Sequence, residues 1–280
     1  MNQSIPIRTI HLFEPLDNLL LEKLKEIEPK DWNLPTRAGS WTIKQIAAHL
    51  LDGNLRALSM LRDGYFGESP GEINSYSDLV GFLNRLNADW VKATQRLSPA
   101  VLISLLESSG MEYRNLLKSL KPFEKAVFSV AWAGEEESLN WFHVAREYTE
   151  KWHHTQQLLE ALDQSDRRLL AKEFYLPYLE TSMRALPHHF ASLVAVDQTL
   201  IQVELKGEFS AIWWLNKTED KWGLLPFSKQ KPTSILTVSD DLAWKIFTKG
   251  ISQEEAFKQL GFTGEGIFAR HFVKMIAVMG

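Results

Sequence analysis

Residues 146–157 read Arg146-Glu147-Tyr148-Thr149-Glu150-Lys151-Trp152-His153-His154-Thr155-Gln156-Gln157. Around this stretch the apolar positions Trp141, Ala145, Tyr148, Trp152, Leu159 and Leu162 are spaced four, three, four, seven and three apart. That is one apolar stripe on a long amphipathic helix. Glu150 and His154 are four residues apart, so they stand one turn above each other and can approach a common atom. A carboxylate oxygen and an imidazole nitrogen at that spacing are two ligands for a divalent metal. A solvated surface pair has the same spacing. The helical wheel puts both residues nearly opposite the apolar stripe, which suits solvent or a water-filled cleft.

Upstream, the same periodicity predicts further helices. Pro15–Ile27 carries Leu16, Leu19, Leu20, Leu24 and Ile27 on one face. A second helix starts at Thr42, with Gln45 completing a capping-box pattern, and ends at Asp63-Gly64. His49 lies at the edge of its apolar side, and Asp52 and Arg56, three and seven residues on, point roughly the same way. Phe66–Asn74 reads as a loop, Ser77–Leu97 as a third helix. Ser98-Pro99 opens a fourth that runs to about Leu120. The short apolar run Val127–Gly134 fits no single state. Long amphipathic helices with modest loops imply an up-and-down, four-helix-type bundle.

Beyond Leu162 the pattern changes. Asp163–Arg168 is polar and reads as a linker, and Phe174–Phe190 reads as helix interrupted at Pro177 and Pro187. Leu200–Leu205 alternates apolar and polar residues, the pattern of a half-buried strand. Phe209–Leu215, Trp222–Leu225 and Ser234–Val238 follow as strands. Ser239-Asp240 and Ser252 cap two helices, and Phe268–Val278 closes the chain as a third. The expected architecture is therefore mixed: a helical bundle over residues 1–165, then a small α+β domain over 166–280 with an antiparallel-rich sheet.

Composition narrows the chemistry. The chain has 280 residues, 45% hydrophobic and 24% charged, a normal balance for a globular protein with a real core. A net charge of −4 gives no reason to expect nucleic acid or an anionic membrane as partner. The absence of cysteine excludes disulfides, protein thiolate ligands and a cysteine nucleophile. No stretch is long and apolar enough to span a bilayer, and the expected location is the cytoplasm. The ten tryptophans read as core packing. His11, His143 and His271 are isolated, and the adjacent His188-His189 point apart. Gly261–Gly266 lacks the Lys-Ser/Thr of a phosphate loop and reads as a turn.

The stretch Ser40-Trp41-Thr42-Ile43-Lys44-Gln45-Ile46-Ala47-Ala48-His49-Leu50-Leu51-Asp52-Gly53 resembles the first metal-ligand helix of the DinB-like superfamily. It is closest to the branch named for mycothiol-dependent maleylpyruvate isomerase. The Glu-x-x-x-His of Glu150–His154 resembles that branch's second motif. The segment from Leu200 onward, with Val238–Trp244 and the closing helix, resembles its small sterol-carrier-like domain. The resemblance implies a divalent metal held by His49, Glu150 and His154, with His153 as rival for the third place. It implies zinc first, nickel or iron as alternatives, and a low-molecular-weight thiol used to isomerise, or transfer sulfur to, a small electrophile. Partners would be that thiol and a small-molecule substrate, with the chain a monomer or homodimer. Arg56 is the candidate for gripping a substrate carboxylate, against an ion pair with Asp52. Asp52 is either an acceptor behind a ligand histidine or a surface charge, and Trp41 is a plug at the helix start. Two histidines and a carboxylate also fit a metal-dependent hydrolase or a non-haem iron oxygenase. A non-catalytic protein that binds an apolar ligand is the remaining alternative.

Overall fold

The structure, a computed structural model, describes residues 4–163, 166–219 and 221–278, and of Tyr76 the backbone alone. The chain separates into two compact units. One is built from residues up to Val127 and from Leu139 to Asp166; the other comprises Phe128–Ser138 and Arg167–Val278. The linker expected at Asp163–Arg168 includes residues 164 and 165, which lie outside the described residues.

The first unit is helical. A 3-10 turn at Ile10–Leu12 leads into α1 (Phe13–Glu26), followed by α2 (Ile43–Ala57), α3 (Tyr76–Thr94), α4 (Pro99–Ser119) and α5 (Asn140–Ala161). The predicted capping box is present: Gln45 N donates to Thr42 Oγ1 at 3.4 Å, and Thr42 N donates to Gln45 Oε1 at 2.8 Å. This pair satisfies two of the donors a helix start leaves open. Likewise Val101 N donates to Ser98 Oγ at 3.3 Å at the head of α4. α2 does not stop at Ala57. It widens into one π-helical turn, Leu58–Arg62, which Gly64 closes with φ +68°.

α2 packs on α3, α4 and α5, and α1 packs on α4 and α5. Leu20, Leu24, Trp32, Ile43, Ile46, Ala47, Leu50, Leu51, Leu102, Leu106 and Leu158 form the central core. Each fully buried leucine there contributes about 1.5–3 kcal/mol. α5 is buried on nearly every side, polar residues included. On its face toward α1 and α4, Lys151 is 4% exposed and pairs with Asp17, whose other oxygen lies 2.5 Å from Arg114 Nη1. The Lys151 ammonium also stands 5.4 Å from the centre of the Tyr113 ring and 5.9 Å from that of Phe13. Two cations on one carboxylate fix the rotation of α5 about its axis, and so the direction that the neighbouring Glu150 and His154 present.

The second unit is the α+β part. Short 3-10 turns at Ala131–Ala133 and Arg167–Leu170 accompany α6 (Lys172–Met183) and α7 (Leu186–Phe190). Then come β1 (Leu200–Lys206), β2 (Ser210–Thr218), β3 (Lys221–Leu225), β4 (Ser234–Ser239), α8 (Asp240–Phe247), α9 (Gln253–Gln259), β5 (Gly261–Thr263) and α10 (Gly266–Phe272). The sheet order is β3-β2-β1-β4-β5. β1 and β4 run parallel and every other pairing is antiparallel. Val203 sits between Trp213 on β2 and Leu236 on β4, in the middle of the apolar face. Ser239 and Ser252 cap α8 and α9, accepting from Leu242 N and Glu255 N, each at 3.2 Å.

Four local expectations are corrected. Gly261–Thr263 is a fifth strand rather than part of a turn. Glycine is needed beside it, because a Cβ on Gly264 (φ +85°) would lie 2.3 Å from the Thr233 carbonyl oxygen. The closing helix starts at Gly266 and ends at Phe272, earlier than the apolar run suggested. Pro177 lies inside α6, and the break falls at Arg184–Ala185 instead. His271, which looked isolated, pins α10 to α7 together with His189: each ring Nε2 lies 2.8 Å from the other residue's carbonyl oxygen. Among the described residues no helix is long and apolar enough to cross a membrane.

Candidate functional site

His49 stands at the middle of α2, held by the capped start of that helix. Glu150 and His154 are one turn apart on α5. The packing of α2 on α5 brings the three together: one ligand atom from each lies within 4.8 Å of the other two. Around a tetrahedral zinc ion, nitrogen and oxygen ligands about 2.0–2.1 Å from the metal are roughly 3.3 Å apart. A contraction of up to about 1.5 Å would close the trio on an ion.

Their environment keeps the donors available. Burial, then the neighbouring His154, Arg56 and His153, push the His49 pKa well below its usual value. Burial, helped by His153, takes His154 down to about 3. Both imidazoles are therefore neutral at physiological pH, with lone pairs to give. Burial raises the Glu150 pKa, opposed by His154, Arg146 and Arg56. The Glu150 side chain is still 33% exposed, whereas His154 is only 6% exposed. Solvent therefore reaches one side of the site and not the other. Glu150 and His154 thus lie on the side of α5 that meets His49 of α2, His154 buried and Glu150 at the solvent edge.

His153 is adjacent but differently engaged. Its Nδ1 lies 2.8 Å from the Thr149 carbonyl oxygen and its Nε2 lies 3.4 Å from Glu150 Oε2. Trp41 is more than a plug at the helix start. Its ring centre lies 4.9 Å from that of His49 and 6.3 Å from that of His154, stacked on the latter. It forms an aromatic wall along both imidazoles.

Arg56 is close enough to influence both His49 and Glu150. Its Nε lies 2.9 Å from Asp52 Oδ2, so the ion pair weighed against a substrate contact is present. Asp52 is thereby committed to Arg56, while His49 Nδ1 has no hydrogen-bond partner of ordinary geometry. Asp52 is buried at 6% exposure and is no surface charge.

The polar stripe of α5 continues past the trio. Glu147 accepts from Tyr113 Oη at 2.6 Å and from Arg146 Nη2 at 2.5 Å, and that nitrogen also lies 2.8 Å from His143 Nδ1. Burial alone would raise the Glu147 pKa, but Arg146, His143 and Tyr113 outweigh it and hold it at about 2. His143, isolated in sequence, thus belongs to a buried cluster. Its spacing to Glu147 and on to Glu150 and His154 was the signal that could have found it. A separate cleft of about 310 Å³ at the end of α2, lined by Leu55, Leu58, Arg62, Leu105 and Glu112, shares no residue with the trio.

Residues 13–159, just over half the chain, match the family model described as the mycothiol maleylpyruvate isomerase N-terminal domain. A Bacillus mycoides (strain KBAB4) protein named "Putative metal-dependent hydrolase" is 24% identical over 123 residues, covering 44% of this chain and 65% of that protein. A namesake from Bacillus cereus (strain AH820) is 26% identical over 113 residues, covering 40% of this chain and 60% of its own length. The matches thus span under two thirds of these relatives. Two crystal structures of mycothiol-dependent maleylpyruvate isomerase, a point variant and the parent, align over 91% of this chain and 92% of theirs. Their TM-scores are 0.52 and 0.51 at 10% identity, a likeness of fold. With the helical bundle, the α+β unit and the match over residues 13–159 in hand, the chain belongs to the mycothiol maleylpyruvate isomerase branch of the DinB-like superfamily.

Proposed function

We propose that the protein is a metal-dependent enzyme that uses a low-molecular-weight thiol to isomerise, or transfer sulfur to, a small electrophilic substrate. The observation that carries this reading is the convergence of His49, Glu150 and His154 within 4.8 Å. Two neutral imidazoles and one carboxylate suit zinc, with nickel and iron as alternatives. A divalent ion so held supplies a Lewis acid that lowers the pKa of bound water or thiol toward neutrality. The chain itself has no cysteine, so any thiol comes from outside. His49 and His154 contribute no charge, and Glu150 contributes one negative charge. Trp41 shields both rings on one side and leaves approach from the side where Glu150 is exposed. Arg56, tied to Asp52 through Nε, keeps its two terminal nitrogens for a carboxylate of the thiol or substrate.

A second reading, hydrolysis at the same trio, is favoured by the name of the Bacillus relatives. Cobalt-substituted protein separates the two. Direct sulfur ligation gives a near-ultraviolet charge-transfer band when a cellular thiol is added. Failure of every tested thiol to give that band removes the thiol reading and moves the hydrolase ahead. Co-purification of an apolar ligand with no metal at all would instead favour a binding protein.

A further inference from the structure

The His154 ring is held from behind. Its Nδ1 lies 2.9 Å from Gln157 Oε1, and Gln157 is only 2% exposed. An amide oxygen can only accept, so this bond requires the proton on Nδ1 and leaves the lone pair on Nε2. His49 has a counterpart on α3. Trp90 Nε1 donates to the Ala48 carbonyl oxygen at 2.8 Å, clamping α3 one residue from His49. Asn87 is three residues before Trp90, on the same side of α3. His49 Nδ1 and Asn87 Oδ1 are both buried, and neither has a partner of ordinary geometry. The Asn87 side chain nonetheless stands within reach of the His49 ring. A rotation of the Asn87 amide that brought Oδ1 onto Nδ1 would satisfy both atoms at once.

We propose that Gln157 and Asn87 are positioning residues that hold His154 and His49 as Nδ1–H tautomers, so that both rings turn Nε2 toward Glu150. The inference rests on the ligand set proposed above, but it concerns where two protons sit in the protein itself. The choice of amides has a chemical consequence. A carboxylate behind a ligand imidazole adds negative charge and raises the basicity of the ring. An amide orients the ring and adds none. With Glu150 the one anion of the trio, a divalent ion there would keep a single net positive charge and more of its acidity.

Long-range proton–nitrogen-15 correlation spectra of the metal-free protein at neutral pH report the tautomer of each ring. Nδ1–H is expected at His49 and His154. His153 serves as the internal standard, since its Nδ1 faces the Thr149 carbonyl oxygen. An Nε2–H or mixed tautomer at either ring overturns the proposal for that ring. Gln157→Met keeps length and removes the amide. It should mix the His154 tautomers and weaken zinc binding, in competition with a chelator, by about ten- to a hundredfold. Gln157→Glu should restore both, a rescue that a purely structural role would not produce. Asn87→Leu and Asn87→Asp should behave in the same way at His49. An unchanged His154 tautomer in Gln157→Met overturns the role of Gln157. Should the wild-type protein show both Nδ1–H rings yet take up no zinc, the ligand set fails while the positioning role stands. Tight zinc binding with mixed tautomers is the converse failure.

Discussion

Lys151, the residue after Glu150, places its buried ammonium on the carboxylate of Asp17, far back on α1. Adjacent residues on a helix point about 100° apart and residues three apart about 60°, so Lys151 lies beside the candidate ligands Glu150 and His154 on α5. The pair therefore acts as a rotational stop: a turn of α5 that carried Glu150 and His154 away from α2 would also pull Lys151 off Asp17.

Removing that stop tests its weight. Asp17→Ala leaves the Lys151 ammonium buried without a carboxylate, with Arg114 beside it. Breaking one side of a buried pair costs about 3–5 kcal/mol, and chemical denaturation should show a loss in that range. A loss below about 1 kcal/mol, the range of exposed pairs, would mean that the ammonium reaches water.

The ligand set is tested by metal content. His49→Ala should reduce the metal carried by protein purified without added metal to a small fraction of the wild-type level. His153→Ala should leave it nearly unchanged, because the His153 ring faces Thr149 and the flank of Glu150. Elemental analysis of both variants, with far-ultraviolet circular dichroism to confirm the helices, decides the matter. Full occupancy in His49→Ala would remove His49 from the site.

Arg56→Ala should weaken binding of a carboxylate-bearing thiol or substrate by about ten- to a hundredfold. This follows from about 1.5–3 kcal/mol for a charge-assisted hydrogen bond and about 1.4 kcal/mol per factor of ten. Titration of the cobalt form measures it. The same variant should affect an uncharged thiol much less, and an equal loss for both would mean that Arg56 acts only through its pair with Asp52.

The metal-free protein should lose stability as pH falls from about 6.5 to about 4. Burial holds His143 and His153 at about 4 and His154 at about 3, and puts His49 well below its usual 6.5. Across that window the unfolded chain binds protons that the folded chain refuses, so acid favours unfolding. Above pH 6.5 both states are neutral at these rings and the effect vanishes. Each histidine contributes about 1.4 kcal/mol per pH unit within the window. Glu147 acts lower down: its stabilisation is present above about pH 4.5 and is lost as pH falls toward about 2. Urea titrations at stepped pH should show the upper slope, and His143→Asn should lower it by about one proton's worth.

What could be read in the sequence follows from what each signal depends on. The periodicity of α1, α2 and α5 and the Thr42–Gln45, Ser98, Ser239 and Ser252 caps are local, so they were legible. The spacing of Glu150 and His154 is also local. That His49 meets them depends on α2 crossing α5, which no periodicity encodes, and only the resemblance supplied it. Gln157 stands three residues from His154 and was within reach of a helical wheel. Asn87 is on a different helix and gave no signal. Strand β5 was missed because glycines dominate its ends and its pairing partner, β4, is distant in sequence.

The segment Phe128–Ser138 belongs with the second unit although it precedes α5 in the chain. Val130 and Trp132 within it are buried. On a ribosome these residues emerge long before the strands and helices they join, and must wait for nearly the whole of the remaining chain to be made. A cut of the chain after Asp166 would therefore part Val130 and Trp132 from the unit they are counted with, and the helical unit made alone would carry an apolar segment between α4 and α5 with its packing missing.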